Sequence, residues 1–403
     1  MISTRGRYAL RVLIDLSENN HGGYIPMKDV AARQGISLKY LERILPTLTK
    51  AKLIEGIHGK GGGYRLTRAP EDYTVGEILR LTEGSLAPVS CLEFEENTCC
   101  SLEDVEDARA VCRRMGIPYH VFNFKADFEE KIINKFVDSY RRGMTPNPCI
   151  DCNRYMKFDR LLDRARELGC ELVVTGHYAR VEERNGRYIL RKGLDASKDQ
   201  SYVLYQLTQE QLAHIRFPLG ELSKDEVRRL AEENGFINAK KPDSQDICFV
   251  PDGDYAAFIE RRCGAVPQGD FITPDGRVLG RHKGITHYTI GQRKHLGIAV
   301  GEPIYVVKID ADNNTVVLGG EELLFGTVCT LSEFNWISGE APSAPIRCAA
   351  KTRYRHKEQP CAASVNPDGT VTLTFDTPVR AMTPGQAAVL YDGDIVLGGG
   401  VII

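Results

Sequence analysis

The sequence contains a single tryptophan, no long apolar run and little net charge. Its 403 residues are 42% hydrophobic and 26% charged, which is typical of a globular protein. No stretch approaches the roughly 20 apolar residues of a membrane-spanning helix, and the opening MISTRGRYALRVLIDLS lacks a signal-peptide core and cleavage site. We therefore expect a cytoplasmic protein of about two to four domains with no membrane partner.

Cysteine, in contrast, is plentiful, and the charge is unevenly distributed. Twelve cysteines in a cytoplasmic chain indicate thiol chemistry or metal ligation, not a disulfide scaffold. Residues 1–90 hold 13 Lys and Arg against 9 Asp and Glu, whereas the whole chain has a net charge of −2. The basic N-terminal part is suited to contact with a nucleic-acid backbone.

The segment DVAARQGISLKYLERIL (residues 29–45) predicts a helix, a turn and a second helix. Gly35 permits the turn and Ser37 caps the second helix. The apolar stripe of that helix is Leu38, Leu41, Ile44 and Leu45, and the side chains left facing outward, as major-groove reading requires, are Lys39, Tyr40 and Arg43. The alternative is a small helical domain with a solvated basic face. LIEGIHGKGGGYRLT then predicts two strands forming a wing, and because a strand follows GKGGG, this stretch is not a phosphate loop.

Four segments in order resemble winged-helix regulators of the IscR type: STRGRYALRVLIDLS, ISLKYLERIL, GKGGGYRLTR and YTVGEILRLTEGSLAPVSCL. The resemblance covers about residues 1–99 and implies DNA binding together with an iron–sulfur cluster on three cysteines after the wing. Cys91 and Cys99 match the first two ligand positions. The third ligand and the long dimerisation helix have no counterpart, so a cluster is expected to be vestigial.

Residues 100–250 predict an α/β layer with a parallel sheet. IPYHVFNF is typical of a buried strand, DFEEKIINKFVDSYRRG and NRYMKFDRLLDRARELG of helices, and ELVVTGHYARV of a second strand. Ligands of such sheets bind beyond the carboxyl ends of the strands, where TGHYA (residues 175–179) lies. Short strands with turn signals from residue 304 onward predict a small antiparallel barrel. The predicted domains are therefore 1–99, 100–250, 251–300 and 301–403.

Cys149 and Cys152, in TPNPCIDCN, could be half of a metal site, a redox pair, inert cysteines, or a nucleophile and its neighbour. A zinc site would require a second pair of ligands. We expect a helix to begin near Asn153, so that Cys152 lies at its N-terminus with a lowered pKa and is the better nucleophile. Cys248, in KKPDSQDICFVPDG, is expected on a polar loop.

Seven further segments resemble the tRNA-specific 2-thiouridylases, in order and over about residues 100–403. They are TPNPCIDCNRYMKFD, VVTGHYARV, KDQSYVLYQL, PLGELSKDEVRRLAEENG, KPDSQDICFVPDGDY, HYTIGQRKHLGI and TRYRH. The resemblance implies a PP-loop-type, nucleotide-hydrolase-like α/β domain, a small central domain and a C-terminal β-barrel. It further implies a sulfurtransferase that makes 2-thiouridine at the tRNA wobble position, with ATP adenylating the uracil O2 and a donor protein supplying persulfide sulfur.

The resemblance also implies residue roles. Cys248 accepts the persulfide, and Cys152 is the catalytic cysteine, acting through a disulfide with Cys248. Asn147, Pro148 and Cys149 face the target base, although many members carry Asp in place of Cys149. Gly176 contacts the nucleotide. The positions that match tRNA contacts are His177, Lys198, Asp199, Gln200, Arg353, Tyr354 and Gln386. Arg353, Arg355, His356 and Lys357 are expected to form a basic strand edge, for which a solvated face is the alternative.

One expected element is missing from the sequence. The family opens with a strand, an SGGVDS-type loop and a helix that together grip the ATP phosphates, and this chain has no such stretch. The two resemblances meet near residue 99 without a linker, as in a fusion of two truncated genes. We therefore predict a tRNA-uridine 2-sulfurtransferase with impaired ATP-dependent activity. The alternatives are a regulator of iron–sulfur or cysteine metabolism with a non-catalytic tRNA-binding passenger, and a sulfur-relay protein using Cys248.

Overall fold

The computed structural model describes residues 4–19, 22–57, 59, 62–83, 102–236, 238–240, 247–298 and 301–403. The chain divides into two compact units, Met1–Asn123 and Phe124–Ile403. Among the described residues no helix is long and apolar enough to span a membrane.

The first unit contains five helices and one hairpin in its described part. In chain order these are α1 (Thr4–Glu18), α2 (Met27–Gln34), α3 (Leu38–Lys50), β1 (Ile54–Ile57), β2 (Gly63–Leu66), α4 (Val75–Glu83) and α5 (Leu102–Met115). Gly35 ends α2 in the left-handed conformation, with φ of +60°. The Ser37 side chain accepts a hydrogen bond from the backbone N–H of Tyr40 at the start of α3. The predicted helix-turn-helix and its wing, the antiparallel pair β1–β2, are thus confirmed.

The core of the first unit contains most of the predicted stripe of α3. Leu41, Ile44 and Leu45 are buried, and Leu48 continues the stripe one turn further on. Leu38 is 42% exposed, so its assignment to the stripe is wrong. It is the first residue of α3, and the buried face of the helix begins only at Leu41.

The second unit carries the remaining helices. They are α6 (Lys125–Phe128), α7 (Lys135–Arg141), α8 (Pro148–Asp151), α9 (Leu161–Glu167), α10 (Gln209–Ala213), α11 (Lys224–Glu233) and α12 (Tyr255–Cys263). Wider π-helical turns over Glu129–Asn134 and Cys152–Arg160 join α6 to α7 and α8 to α9. Each pair is therefore one continuous helix.

The predicted parallel sheet is small. Only β3 (Val173–Val174) and β6 (Ile215–Arg216) form it in the described residues. The strand expected over residues 117–124 is wrong, because those residues have no strand conformation. ELVVTGHYARV divides into β3 and β4 (Ala179–Arg184), and β4 pairs with β5 (Arg187–Lys192) instead of continuing the parallel sheet.

A four-stranded sheet follows, in the order β8-β7-β10-β9. Its strands are β7 (Gly269–Ile272), β8 (Val278–His282), β9 (Tyr305–Asp310) and β10 (Thr315–Gly319). Phe271 of β7 lies opposite Val316 of β10 in a parallel pairing, and both side chains are fully buried. Because of this pairing β9 and β10 belong with β7 and β8, whereas the sequence placed them in the barrel.

The C-terminal barrel is confirmed. Six antiparallel strands run in the order β11-β14-β13-β12-β15-β16, and β11 pairs with β16 to close the sheet. They are β11 (Phe325–Trp336), β12 (Ile346–Lys351), β13 (Gln359–Val365), β14 (Val371–Arg380), β15 (Ala387–Asp392) and β16 (Ile395–Ile402). The hairpin β4–β5 joins β16 through the pair Arg191 and Ile395, and Arg180 and Arg191 both form ion pairs with Asp394. Residues 353–357 lie in the turn between β12 and β13, so the predicted basic strand edge is a basic loop.

Candidate functional site

The helix that carries two of the predicted cysteines begins earlier than the sequence suggested. Pro148 occupies its first turn, and the Asn147 side chain caps it by accepting a hydrogen bond from the Cys149 N–H, with a donor–acceptor distance of 3.1 Å. Proline with its fixed φ is favourable at this position, and asparagine is a preferred cap. Cys149 is therefore the thiol in the first turn, and it is exposed. Cys152 lies one turn later, so its placement at the helix N-terminus is wrong.

Cys152 is half-buried and packs against an apolar cluster that includes Phe136 and Met156. Burial raises the pKa of the Cys152 thiol to about 11, and the positive charge of Lys157 opposes this rise. The direction is opposite to the lowered pKa that a helix N-terminus would have produced. Cys152 is thus a protonated thiol near neutral pH.

Cys248 lies in the same neighbourhood. Its two chain neighbours, Ile247 and Phe249, pack in the cluster that holds Cys152. The side chain of Cys248 reaches solvent, but desolvation by its surroundings raises the pKa of this thiol, while Lys157 again lowers it. Negative charge on Cys248 or on Cys149 would raise the pKa of Cys152, because the three thiols are close enough to interact electrostatically. The structure therefore brings together the three cysteines that the sequence singled out.

Lys157 is the functional residue that sequence reasoning missed. Its Nζ lies 3.3 Å from Nε2 of His177. The residue is five positions after Cys152, and a regular α-helix would turn it away from that thiol. In the π-helical turn Cys152–Arg160, residues five apart are hydrogen-bonding partners and lie on nearly the same face. The signal was present in the motif CNRYMKFD, but only the wider helix shows its meaning.

His177 is an interior residue with 6% exposure. Its Nδ1 is 2.7 Å from the Thr175 Oγ1, and its ring contacts the rings of Phe158 and Phe217. Burial, together with the charge of Lys157, lowers the pKa of His177 to about 3, so the imidazole is neutral at physiological pH. In this arrangement His177 orients Lys157 and does not itself present a charge to tRNA.

A polar cavity of about 880 Å³ lies next to these residues. Its wall contains five residues that the sequence assigned to nucleotide or tRNA contact: Gly176, Lys198, Asp199, Gln200 and Tyr354. Basic side chains that the sequence analysis did not single out as contacts, Lys224 and Lys351, also line it, as do Arg355 and Lys357 of the basic loop. A cavity lined in this way is suited to phosphate groups of a nucleic acid.

Two of these residues mainly shape the wall. The Asp199 carboxylate accepts hydrogen bonds from the backbone N–H groups of Gly193 and Ser201, each at 3.1 Å. Gln200 accepts a hydrogen bond from the backbone N–H of Tyr178 at 3.0 Å. The Tyr354 hydroxyl donates to the Asp199 carbonyl at 3.2 Å, which ties the basic loop to this segment.

Cys149 lies within electrostatic range of the cavity. The pKa of Tyr354 is raised first by burial and then by the negative charges of Asp199 and of a Cys149 thiolate. The negative charge of a Cys149 thiolate would therefore act on Tyr354, although Cys149 is not among the residues that line the cavity.

Arg353 and Gln386 make interior contacts. The Arg353 guanidinium donates to the Ile290 carbonyl at 3.0 Å and to the Thr383 hydroxyl, and burial lowers its pKa. The Gln386 amide donates to the Thr145 carbonyl at 2.7 Å, which holds the loop before Asn147. Both residues therefore support the site through interior hydrogen bonds.

The expected ATP requires a place for its phosphates, and the described residues around Gly176 do not fit them. Converging N–H groups at a helix N-terminus are needed, but the residues after Gly176 lead into β4. A Cβ added to Gly176 would meet only Leu219, at an ordinary 3.4 Å, so no close backbone approach requires glycine there. The residues around Gly176 therefore give no basis for assigning a reaction step to ATP.

The DNA-contact prediction concerns α3. Lys39 and Arg43 are exposed on it, whereas Tyr40 is half-buried, with its ring edge against Tyr8 at a centroid distance of 5.2 Å. Tyr40 is thus held in a fixed position beside the two basic residues. The predicted cluster ligands Cys91 and Cys99 lie outside the described residues, within which no three His, Cys, Asp or Glu side chains are placed to hold a metal.

Comparison with protein families divides the chain into four matches. Residues 2–116 match the family of iron-dependent transcriptional regulators, and residues 85–252 match the HUP domain of the tRNA methyl transferase family. Residues 256–320 match the PRC-barrel domain of that family, and residues 327–402 the aminomethyltransferase β-barrel domain. A HUP domain is consistent with the use of ATP in this family.

Similar curated proteins bear the name tRNA-specific 2-thiouridylase MnmA. The protein of Acetivibrio thermocellus is 51% identical over 310 residues, which are 76% of this chain and 86% of that protein. MnmA 1 of Thermoanaerobacter sp. strain X514 is 55% identical over 310 residues, covering 76% and 85% of the two chains.

Solved structures similar to this chain include two regulators. CymR, the global cysteine regulator of B. subtilis, is 40% identical and covers 24% of this chain and 74% of its own, with a TM-score of 0.22. IscR of T. potens is 34% identical and covers 28% and 76%, also with a TM-score of 0.22.

Proposed function

Because the chain belongs to the family of tRNA-specific 2-thiouridylases and also carries a domain of the iron-dependent transcriptional regulators, we propose that it transfers sulfur to uridine in tRNA and binds DNA through α3. The proposed product is 2-thiouridine at the wobble position, and the proposed sulfur source is a persulfide on a donor protein. The observation that carries the first proposal is the group of Cys149, Cys152 and Cys248 beside Lys157 and the basic cavity.

The positions of the thiols support a division of roles. Cys248 is exposed, and we assign to it the acceptance of the outer sulfur of the donor persulfide, while the donor leaves as a thiol. Cys152 is half-buried and protonated at rest, which slows its reaction with other disulfides and electrophiles. Lys157 lowers the pKa of both thiols and thereby favours their thiolate forms when sulfur moves.

After the sulfur of the Cys248 persulfide has bonded to uracil C2, Cys152 attacks the Sγ of Cys248. The S–S bond to the transferred sulfur breaks, the thiocarbonyl leaves with the nucleoside, and a Cys152–Cys248 disulfide forms. The departing oxygen of a urea-like carbonyl is a poor leaving group and must first be activated. Activation is the step that relies on the phosphate loop of the family, for which we find no counterpart in the sequence, so we expect sulfur loading to be normal and thiolation to be strongly impaired.

The test uses the full chain with tRNA, ATP and a persulfide donor carrying ³⁵S. Label should enter the wild-type chain at Cys248, and position 248 of the Cys248→Ser variant should stay unlabelled. Little label should reach tRNA. Cys263→Ser, which removes another exposed thiol, is the matched control and should load normally. Absence of label on Cys248 would overturn the sulfur-transfer proposal, and turnover typical of an intact 2-thiouridylase would overturn the impairment.

Binding of tRNA is assigned to the cations that line the cavity. Replacing Lys198 and Lys357 with Ala should weaken tRNA binding and reduce its salt dependence by about one to two units of log–log slope. The control pair Arg277→Ala and Lys294→Ala removes the same charge from exposed positions of the same unit that do not line this cavity. Equal salt slopes for the two double variants would contradict this assignment.

DNA binding is the second function, supported by the exposed pair Lys39 and Arg43 on α3 after a capped turn. We expect the full chain to enrich particular sequences from a random duplex pool, and the variant Lys39→Ala with Arg43→Ala to lose that enrichment. The control variant Arg113→Ala with Arg114→Ala removes two basic residues from the last turn of α5. Loss of enrichment in both variants, or no enrichment by the wild type, would refute the role of α3.

A further inference from the structure

The third thiol of the site has no task in the sulfur-transfer step described above. Cys149 is exposed in the first turn of the helix, and Cys152 follows one turn later and is half-buried. Side chains three positions apart lie on the same face of a helix, with Cβ atoms about 5–6 Å apart. In this first turn the Cys149 N–H donates to the Asn147 side chain and the Ile150 N–H to the Asn147 carbonyl, so these N–H groups are held only by the cap residue and the turn can adjust to the shorter Cβ distance of a disulfide.

Cys248 also lies close to Cys152. Ile247 and Phe249 fix it next to the cluster against which Cys152 packs. Cys152 thus has two thiol neighbours, Cys149 one turn earlier in the same helix and Cys248 on the segment that begins at residue 247. A thiol with two neighbours can be bonded to either of them, one at a time.

We propose that Cys149 is the exit thiol of the site: it attacks the Cys152–Cys248 disulfide and frees Cys248 for the next sulfur. This proposal rests on the proposed function, since that function generates the disulfide. The attacked atom is Sγ of Cys152, a Cys149–Cys152 bond forms, and Cys248 leaves as a thiolate that takes up the proton lost by Cys149. The exchange is an isomerisation and requires no oxidant or reductant.

The last step restores the thiols and needs an external reductant. A dithiol attacks the exposed Cys149 sulfur, is itself oxidised to a disulfide, and leaves Cys149 and Cys152 as thiols. The exposure of Cys149 makes this attack possible, whereas Cys152 is shielded by the apolar cluster.

The experiment oxidises the purified full chain with one equivalent of diamide, then traps thiols by rapid alkylation and maps disulfides by mass spectrometry. The Cys348→Ser background is used, because Cys348 and Cys361 have their sulfur atoms 3.6 Å apart and would form a competing disulfide. We expect Cys149–Cys152 to accumulate in this background with Cys248 free. With Cys149→Ser added, Cys152–Cys248 should persist, and its reduction by dithiothreitol should be about tenfold slower.

Cys170→Ser, which removes an exposed thiol from another helix end, is the control and should behave as the parent. Persistence of Cys152–Cys248 in the parent, or absence of any Cys149–Cys152 bond, overturns the proposal. Loading of ³⁵S on Cys248 gives the second readout: both proteins should load alike before oxidation, whereas after the diamide step the parent, with Cys248 free, should still load and Cys149→Ser, with Cys248 held in the disulfide, should not. If neither protein loads Cys248, the proposed function fails, while the diamide result still decides the role of Cys149.

Discussion

The pH dependence of Cys152 alkylation follows directly from its surroundings. Burial raises the pKa of this thiol from an ordinary 9.0 to about 11. At pH 8 the thiolate fraction therefore falls from about 0.1 to about 0.001, a change of about 100-fold. Since only the thiolate reacts, the alkylation rate of Cys152 in the folded chain should increase with pH up to a midpoint near 11.

The measurement is pulsed alkylation with iodoacetamide between pH 7 and pH 11, followed by mass spectrometry of the peptide that contains Cys152. The same thiol in urea-unfolded chain is the reference and should show a midpoint near its ordinary pKa. The Cys149→Ser background keeps the neighbouring thiol from confusing the peptide assignment. Steric shielding of the thiol would slow the reaction equally at every pH and would not move the midpoint. The midpoint of the pH profile is therefore the decisive quantity. A folded midpoint at or below 9 would refute the environment described for Cys152.

Three further outcomes are expected. Lys157→Met should move the alkylation midpoints of both Cys152 and Cys248 to higher pH, because Lys157 lowers both pKa values. Unchanged midpoints would show that the charge of Lys157 does not act on the two thiols. His177 has a pKa lowered from 6.5 to about 3, so the folded chain binds fewer protons than the unfolded chain between these values, and stability is lost as pH falls. In chemical denaturation the free energy of unfolding of the wild type should fall by about 2 kcal/mol more than that of His177→Gln between pH 7.5 and pH 5. Equal decreases in the two proteins would contradict a buried, neutral imidazole. Gly385→Ala places a Cβ 2.9 Å from Met144 and Thr145, whereas Gly393→Ala, also at positive φ, meets nothing within 4 Å, so the first variant should be less stable in thermal unfolding by about 1–3 kcal/mol.

Local signals in the sequence predicted the first unit well. The left-handed turn at Gly35 and the cap at Ser37 depend on residues within a few positions of each other, so the helix-turn-helix can be inferred without knowledge of tertiary structure. Leu38 was misplaced because a periodic pattern does not show where the buried face of a helix begins.

The helix that carries Cys149 and Cys152 has one feature that the sequence indicates and one that it does not. Asn147 followed by Pro148 is a recognisable helix start, but the same pair of residues also marks turns and loops, so the sequence predicts a helix that begins only near Asn153. The π-helical turn after Cys152 has no clear sequence signature. Both errors moved the expected nucleophile to a helix end and concealed Lys157.

Pairings between distant strands were the least predictable part. β10 pairs in parallel with β7, more than forty residues away, and nothing in the alternating pattern of β9 and β10 distinguishes this sheet from the barrel. The inward direction of Arg353 likewise depends on Ile290 and Thr383, which only the folded chain brings near it. Sequence similarity alone assigns such a residue to tRNA, because arginine is a common phosphate ligand.

The position of Lys157 predicts that the thiol steps are separable from nucleotide binding. Lys157 lies beside His177 and lowers the pKa of both Cys152 and Cys248, so the positive charge that favours their thiolates comes from the protein itself. Lys351, in the cavity wall, lies within ion-pair distance of Glu358, at 3.7 Å, and its charge is therefore partly compensated. Loading of sulfur onto Cys248 should consequently proceed at the same rate with and without ATP, because the positive charge that acts on both thiols is that of Lys157.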